Sequence, residues 1–118
     1  LAARWGHQNI VCNKAATGGQ LETLKWLRSN GFTWDAKTCV SAAENGHLEV
    51  LQWAQANGCS WDELTCAIAA KNGHLDVLYW ARTNGCPWDR KTYLMARVMG
   101  HAEILKWAMN HGCPNKLL

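Results

Sequence analysis

The side chains best suited to chemistry are six cysteines and five histidines, spread along 118 residues. Thiolate and imidazole are the usual ligands of structural zinc, and its cysteines typically come in closely spaced CxxC pairs. No two cysteines of this chain have that spacing. The potential ligands are instead scattered along the chain, singly or in twos. The sequence therefore predicts no metal site and no cofactor.

His47, His74 and His101 recur at a fixed interval. General-base catalysis needs a reacting group within hydrogen-bond reach of the ring, but no nucleophile recurs beside these histidines. Each follows a glycine that ends a predicted helix, so we expect the ring to form hydrogen bonds in a turn. Gly18-Gly19 is interpreted as a turn and not as part of a nucleotide-binding loop. We expect no enzymatic activity and no small-molecule substrate.

Charge and hydropathy narrow the classes of partner. The net charge is +3, and 12 basic residues are scattered among 9 acidic ones. A polybasic run that could follow a phosphate backbone is therefore missing. No segment approaches the roughly 18 apolar residues that a membrane helix needs. We expect no membrane partner, and nucleic acid is the weakest of the alternatives considered.

All six cysteines and three of the five histidines belong to a 27-residue period that runs through the chain. The members of this period are Trp26, Trp53, Trp80 and Trp107; Trp34, Trp61 and Trp88, each followed by Asp; Gly19, Gly46, Gly73 and Gly100; Gly31, Gly58, Gly85 and Gly112; and two series of cysteines. Cutting before each Trp-Asp gives units 7–33, 34–60, 61–87 and 88–114, with partial units at both ends. Such a period is typical of proteins built from stacked structural units. We expect residues 1–118 to form a single array.

The two ends of the chain fit this period less well. Residues 2–7 resemble residues 42–47 but lie only 13 positions before Ala15-Ala16. The register of residues 1–14 therefore stays open. Residues 115–118 would open a fifth unit, in which Asn115-Lys116 replaces Trp-Asp. We expect the chain to be a fragment of a longer array.

Each unit is predicted to contain two helices of about ten residues, as the second unit illustrates. Asp35 is a good N-cap for the first helix, and Gly46 can adopt the positive φ that closes it. A second helix follows from Leu48 and ends at Asn57-Gly58. Thr38, Cys39, Ala42 and Ala43 mark an apolar stripe on the first helix, and positions 48, 51 and 54/55 fall on one side of the second helix.

The tryptophans have two predicted roles. A buried Trp removes about 150–250 Å² from water, so we expect the series of Trp26, Trp53, Trp80 and Trp107 to dominate the core. Their recurrence favours a core role over sugar or base stacking. The series of Trp34, Trp61 and Trp88 is expected to pack over the boundary between units.

The cysteines are predicted to be free thiols. Equivalent sites in stacked units lie about 8–10 Å apart, which is too far for a disulfide bond. Cys39 and Cys66 fall in the predicted apolar stripe, where a free Cys behaves as a small hydrophobic residue. Residues 1–5 lack the features of a signal peptide. We expect an intracellular protein, cytoplasmic or nuclear, whose targeting signals, if any, lie outside this segment.

Two segments resemble the helical core of the ankyrin repeat, namely 42–51 (AAENGHLEVL) and 69–78 (AAKNGHLDVL). The position of Gly58, twelve residues after Gly46, adds to the resemblance. Residues 100–105 (GHAEIL) keep part of the likeness, which covers residues 15–113. The resemblance implies an all-α solenoid of stacked helix–turn–helix units that recognises other proteins and has no catalytic activity.

The departures from the family also predict structure. An ankyrin unit has about 33 residues and opens with T-P-L-H-x-A, whereas residues 38–43 read TCVSAA. The missing residues come from the segment that forms the projecting β-hairpin in ankyrin proteins, so we expect shortened or absent hairpins. The chain is similar to the short ankyrin-type repeats, rich in C-P-W-D, of some protists and large DNA viruses.

Positions that vary between units indicate where a partner could bind, because the fold does not dictate them. In the first helices they are Ala36/Glu63/Arg90, Lys37/Leu64/Lys91, Val40/Ala67/Leu94, Ser41/Ile68/Met95 and Glu44/Lys71/Val98. They recur at helical spacing and form a stripe on each helix. The predicted partner-binding residues are Lys37, Ser41, Glu44, Glu63, Ile68, Lys71, Arg90, Leu94, Met95 and Val98. Variation of this kind also marks any solvated face.

The functional prediction is a protein–protein interaction scaffold whose partner the sequence does not identify. The alternative is a structural spacer that positions an attached domain, and the weaker alternative is nucleic-acid binding.

Overall fold

The computed structural model describes residues 8–115, which form eight α-helices and no β-strand. The first helices are α1 (Gln8–Thr17), α3 (Ala36–Glu44), α5 (Glu63–Lys71) and α7 (Arg90–Val98). The second helices are α2 (Leu21–Ser29), α4 (Leu48–Ala56), α6 (Leu75–Thr83) and α8 (Ala102–Asn110). The all-α prediction is therefore confirmed. The likeness of residues 2–7 to 42–47 and the opening of a fifth unit at residues 116–118 concern positions outside the described range.

The helix boundaries follow the sequence period. The helices α3, α5 and α7 begin 27 residues apart, and so do the four second helices. Three residues separate α3 from α4, and six separate α4 from α5. In α1, Cys12, Ala15 and Ala16 are buried, as their counterparts 27 positions later are. The period therefore holds in the structure from α1 onward.

Aspartate caps start three of the first helices. Asp35 has an extended backbone, and its carboxylate accepts a hydrogen bond from the Lys37 amide at 3.0 Å. Asp62 and Asp89 bond in the same way to the amide two residues later, at 3.0 and 2.9 Å. These bonds satisfy amides that have no partner inside the helix. The predicted N-caps are confirmed.

A glycine at positive φ ends the first helix of the second pair, as predicted. Gly46 has a φ of +71°, and the His47 amide then donates to the Ala42 carbonyl at 2.9 Å. This bond occupies a helix carbonyl that would otherwise be left open. The chain reverses within one turn and enters α4.

Packing between pairs is carried mainly by the first helices. Each first helix packs on the first helix of the next pair and on the second helix of its own pair. The second helices of neighbouring pairs make far fewer contacts with each other. The molecule is elongated and measures 48 × 26 × 22 Å. Below, a seam is the boundary between two neighbouring helix pairs.

Small residues fill the space between the first helices, whereas branched aliphatic residues come from the second helices. The buried small residues include Cys12, Cys39, Cys66, Ala42, Ala43, Ala69, Ala70, Thr38, Thr65 and Thr92. The buried aliphatic residues of the second helices are Leu24, Leu27, Leu51, Leu78, Val50, Val77 and Ile104. Small side chains let helix axes approach closely. The stripe predicted for α3 is confirmed.

The prediction that the second-helix tryptophans dominate the core is wrong. Trp26 is 60% exposed, and Trp53, Trp80 and Trp107 are only partly buried. The buried face of α4 consists of Val50, Leu51 and Ala54. At about 100° per residue, Trp53 lies roughly 100° from the centre of that face. The ring therefore lies at the flank of the helix, outside the core.

Candidate functional site

The ten residues predicted to bind a partner all lie on α3, α5 and α7, and none of them is fully buried. Below they are called the first-helix face. Six are exposed, namely Lys37, Glu44, Glu63, Lys71, Arg90 and Val98, and four are partly buried, namely Ser41, Ile68, Leu94 and Met95. The face is positioned by the opposite side of each helix, which contributes the small core residues.

The structure brings three of these residues together in a groove between α5 and α7. Its volume is about 170 Å³, and it is lined by Leu64, Ala67, Ile68, Lys71, Lys91 and Met95. Below it is called the α5–α7 groove. Among the predicted residues, Ile68, Lys71 and Met95 line it, whereas the residues on α3 lie outside it.

Three residues of the groove, Leu64, Ala67 and Lys91, are missing from the ten predicted ones. Leu64 is 48% exposed even though it is a large aliphatic residue. Leu64 and Lys91 occupy the variable position that they share with Lys37, and Ala67 occupies the one between Val40 and Leu94. The variation between units was therefore a signal that could have included all three. The sequence could not show which residues of the variable stripe face the neighbouring helix.

Basic residues outnumber acidic ones on the first helices. These helices carry six Lys or Arg residues and two Glu, a net charge of +4, whereas the second helices carry four residues of each sign. The three capping aspartates lie in the preceding loops, with their carboxylates bonded to helix amides. Within residues 8–115, Lys71 and Lys91 have no carboxylate at ion-pair distance. The ten residues of the first-helix face themselves include three basic, two acidic and four apolar side chains, so the face carries a net charge of +1.

The opposite side of the molecule carries pairs of tryptophans. Trp34, in the loop before α3, meets Trp53 of α4 edge to face, with ring centroids 5.6 Å apart. The guanidinium of Arg28, from the preceding pair, lies 4.3 Å from the Trp34 ring centroid. Arg28 also donates to the Phe32 carbonyl at 2.7 Å. The prediction that the loop tryptophans pack over the seam is confirmed.

The same arrangement recurs at the other two seams with one difference. Trp61 meets Trp80 at 5.6 Å, and Trp88 meets Trp107 at 5.9 Å. Arg82 lies 4.3 Å from the Trp88 ring, whereas Gln55 occupies the equivalent position at the middle seam. This role of arginine was not predicted from the sequence, although Arg28 and Arg82 stand two periods apart.

The recurring histidines join neighbouring pairs. The Nε2 atom of His47 lies 3.0 Å from the Thr17 carbonyl oxygen, at the end of the preceding first helix. His74 and His101 make the equivalent contacts with Glu44 and Lys71, each at 3.0 Å. Because a carbonyl only accepts, Nε2 carries the proton. The expected hydrogen-bonding role is confirmed, and the bond crosses a seam as well as stabilising a turn.

All six cysteines are buried and carry free thiols. Cys39 Sγ lies 3.9 Å from the Cys59 carbonyl oxygen, and Cys59 Sγ lies 3.2 Å from the Asp35 carbonyl oxygen. The pKa of Cys39 is raised, mainly by the hydrogen bond between the Cys39 and Cys59 thiols and to a smaller extent by burial. Burial also raises the pKa of Cys113, to about 11. These two thiols therefore stay protonated near neutral pH and are poor nucleophiles.

The proximity of Cys39 and Cys59 was not predicted, because these cysteines do not occupy equivalent positions of neighbouring units. The two cysteines belong to the same helix pair and stand 20 positions apart. The first lies in the first helix, and the second lies in the loop after the second helix.

Residues 8–115 contain no cluster of three or more His, Cys, Asp or Glu side chains that could hold a metal ion. None of the described helices has both the length and the apolar content that crossing a membrane requires. No protein-family model matches the chain, and no curated protein is significantly similar to it.

Proposed function

We propose that the chain is an ankyrin-like solenoid that binds other proteins through the first-helix face. One observation carries the proposal. The positions that recur form the caps, the turns and the core, while the positions that vary lie side by side on stacked helices and, apart from Ala67, are exposed or partly buried. A partner that contacts this face would meet a different set of side chains at each unit, and such a difference can give specificity.

Two features of the helix pairs support the ankyrin-like interpretation. Each pair is two nine- or ten-residue helices joined by a tight turn, and first helices pack on first helices. The six residues between α4 and α5 contain no strand, as expected where a hairpin has been shortened. The proposal includes no reaction and no cofactor, because binding of this kind requires only surface complementarity. Buried free thiols fit a reducing compartment, so we propose an intracellular setting.

A structural spacer is the second candidate, and the elongated shape of 48 × 26 × 22 Å favours it. A spacer would position an attached domain by its length and would tolerate changes on its exposed faces. The two candidates therefore differ in how sensitive they are to substitutions on the first-helix face.

The test uses two charge-matched variants of the full chain. E63A/K71A changes one acid and one base on the first-helix face, and E49A/K106A changes one of each on the second helices, where both residues are exposed. Proteins captured from an extract of the source cells would be quantified for each variant. We expect specific partners to be lost from E63A/K71A and kept by E49A/K106A. Equal capture by both variants and the unmodified chain would contradict the proposal and favour the spacer.

A further inference from the structure

We propose that the segment bound by the first-helix face is an acidic amphipathic peptide whose apolar side chains enter the α5–α7 groove. This inference rests on the proposed function and names the chemistry of the partner. It follows from the shape of the groove, from the residues that line it and from the charge around it.

The groove has the size of a side-chain site. Its volume of about 170 Å³ is below the roughly 300 Å³ at which pockets for drug-sized ligands begin. Ala67, which is 2% exposed, forms its floor, and Leu64, Ile68 and Met95 supply aliphatic walls. Aliphatic walls around a small floor residue favour burial of one or two large apolar side chains from a partner.

Lysines from both helices line this aliphatic site. Lys71 comes from α5 and Lys91 from α7, and both are exposed. Along the same face, Lys37 on α3 and Arg90 on α7 add positive charge, which Glu44 and Glu63 partly offset. A partner that carries carboxylates beside its apolar residues would place opposite charges at the rim while its apolar residues enter the groove. Complementary rim charges also raise the association rate and suppress basic competitors.

An amphipathic helix presents apolar and acidic residues in this arrangement. Residues at i, i+3 and i+4 share one side of a helix, so two apolar residues can enter the groove together while neighbouring acids reach Lys71 or Lys91. Recognition of such helices in apolar grooves is a recurring mode of peptide binding.

The same positive charge fits a nucleic acid less well. Single-stranded nucleic acids are held by aromatic side chains that stack on bases, but the walls of this groove are aliphatic. The tryptophans that could stack on bases lie on the second-helix side of the molecule, where they pair with one another.

A display selection of random 16-residue peptides on the immobilised full chain tests the inference. We expect the enriched peptides to have a net negative charge and apolar residues at helical spacing. K71E/K91E should weaken their binding about tenfold or more, as expected from the loss of one charge-assisted contact. The matched control K25E/K106E, which reverses two charges on the second helices, should change the Kd by less than about twofold.

A second variant, L64D, tests the apolar part of the site. Because Leu64 is 48% exposed, its replacement should leave the thermal unfolding midpoint within a few degrees of that of the unmodified chain. L64D should nevertheless weaken binding of the acidic peptides about tenfold, since it places a carboxylate in the groove that receives them.

The outcomes separate this inference from the proposed function. Enrichment of neutral or basic peptides, or of acidic peptides that bind K71E/K91E unchanged, overturns the inference even if E63A/K71A loses its cellular partners. No enrichment at all also overturns it. Salt-dependent binding of a 20-nucleotide single-stranded DNA that is lost in K71E/K91E, together with weak peptide binding, would assign the face to nucleic acid. The proposed function is tested separately: equal capture of cellular proteins by E63A/K71A and E49A/K106A would contradict it.

Discussion

The imidazole ring of His74 occupies the space that a β-carbon on Gly46 would need. A β-carbon built at Gly46 would lie 2.8 Å from both Cε1 and Nδ1 of that ring, which is closer than van der Waals contact allows. Gly46 has a φ of +71°, and Gly100 has a φ of +74° but no atom within 4 Å of the equivalent position. Glycine is therefore required at position 46 both by the backbone conformation and by the neighbouring ring. At position 100 it is required by the backbone conformation alone.

The first prediction compares G46A with G100A. Both variants place Ala at positive φ, which costs about 1–2 kcal/mol. G46A must also displace the His74 ring and break its hydrogen bond to the Glu44 carbonyl, for about 1 kcal/mol more. Urea unfolding should therefore show a larger loss of stability for G46A. Equal losses would mean that the ring is not packed against Gly46, and G46A/H74A should lose less than the sum of its two single variants.

The second prediction concerns the corrected core. Leu51 is fully buried, whereas Trp26 is 60% exposed. L51A should lower the free energy of unfolding by about 2–5 kcal/mol. W26A, which removes a larger side chain from the surface, should lower it by about 1 kcal/mol or less. Chemical denaturation followed by circular dichroism measures both, and a larger loss for W26A would return the tryptophans to the core.

The third prediction uses the seam that lacks an arginine. Gln55 stands where Arg28 and Arg82 cover a Trp ring at the other two seams. Q55R should place a guanidinium over Trp61 and raise the free energy of unfolding by about 0.5–1 kcal/mol. The control Q52R adds the same charge three positions earlier on the same helix. If both variants change the urea midpoint equally, the gain comes from net charge and the ring contact contributes nothing.

The fourth prediction compares two buried threonines. Thr38 Oγ1 donates to Asn13 Oδ1 at 2.6 Å, whereas Thr65 Oγ1 has no hydrogen-bond partner among residues 8–115. Removing the hydroxyl in T65V should be neutral or stabilising, because an unsatisfied polar atom is taken out of the core. T38V should cost about 1–2 kcal/mol, because it leaves the Asn13 amide oxygen without its donor. Thermal unfolding of the two variants should therefore shift in opposite directions or differ clearly in size.

The fifth prediction concerns alkaline pH. Burial raises the pKa of Cys113 from 9.0 to about 11, so between these values the folded chain holds a proton that the unfolded chain has lost. The contribution of this thiol is complete below pH 9 and decreases as the pH rises toward 11. From pH 8 to pH 10 the unmodified chain should lose on the order of 1 kcal/mol more stability than C113A. Urea midpoints at several pH values measure the difference, and parallel pH profiles would contradict the prediction.

How much of this structure the sequence predicts depends on whether a residue acts within its own helix or across a seam. The cap at Asp35 and the turn at Gly46 were predictable because short stretches of chain determine them. The burial of Cys39 followed from helical periodicity. Trp53 was assigned to the core because of its size, although it lies far from the side of the helix that Leu48, Leu51 and Ala54 share.

In the candidate site, too, the features set within one helix were predictable and those set by packing between helices were not. Variation between units located Ile68, Lys71 and Met95 on the exposed side of their helices. It could not show that these residues share a groove, because that depends on the separation and rotation of α5 relative to α7. The bond from His74 to the Glu44 carbonyl was predictable only as a hydrogen bond in a turn, since its partner lies 30 residues earlier.

The histidine bonds also have a consequence for folding. At each of three seams the histidine ring forms a hydrogen bond with a carbonyl 30 residues earlier in the chain, so every bond closes a loop of the same length. The entropy lost on closing a loop depends on its length, and it is therefore the same at every seam. Folding of a longer array would begin as readily at any one of its seams, and each further unit would add short-range contacts without requiring distant parts of the chain to meet.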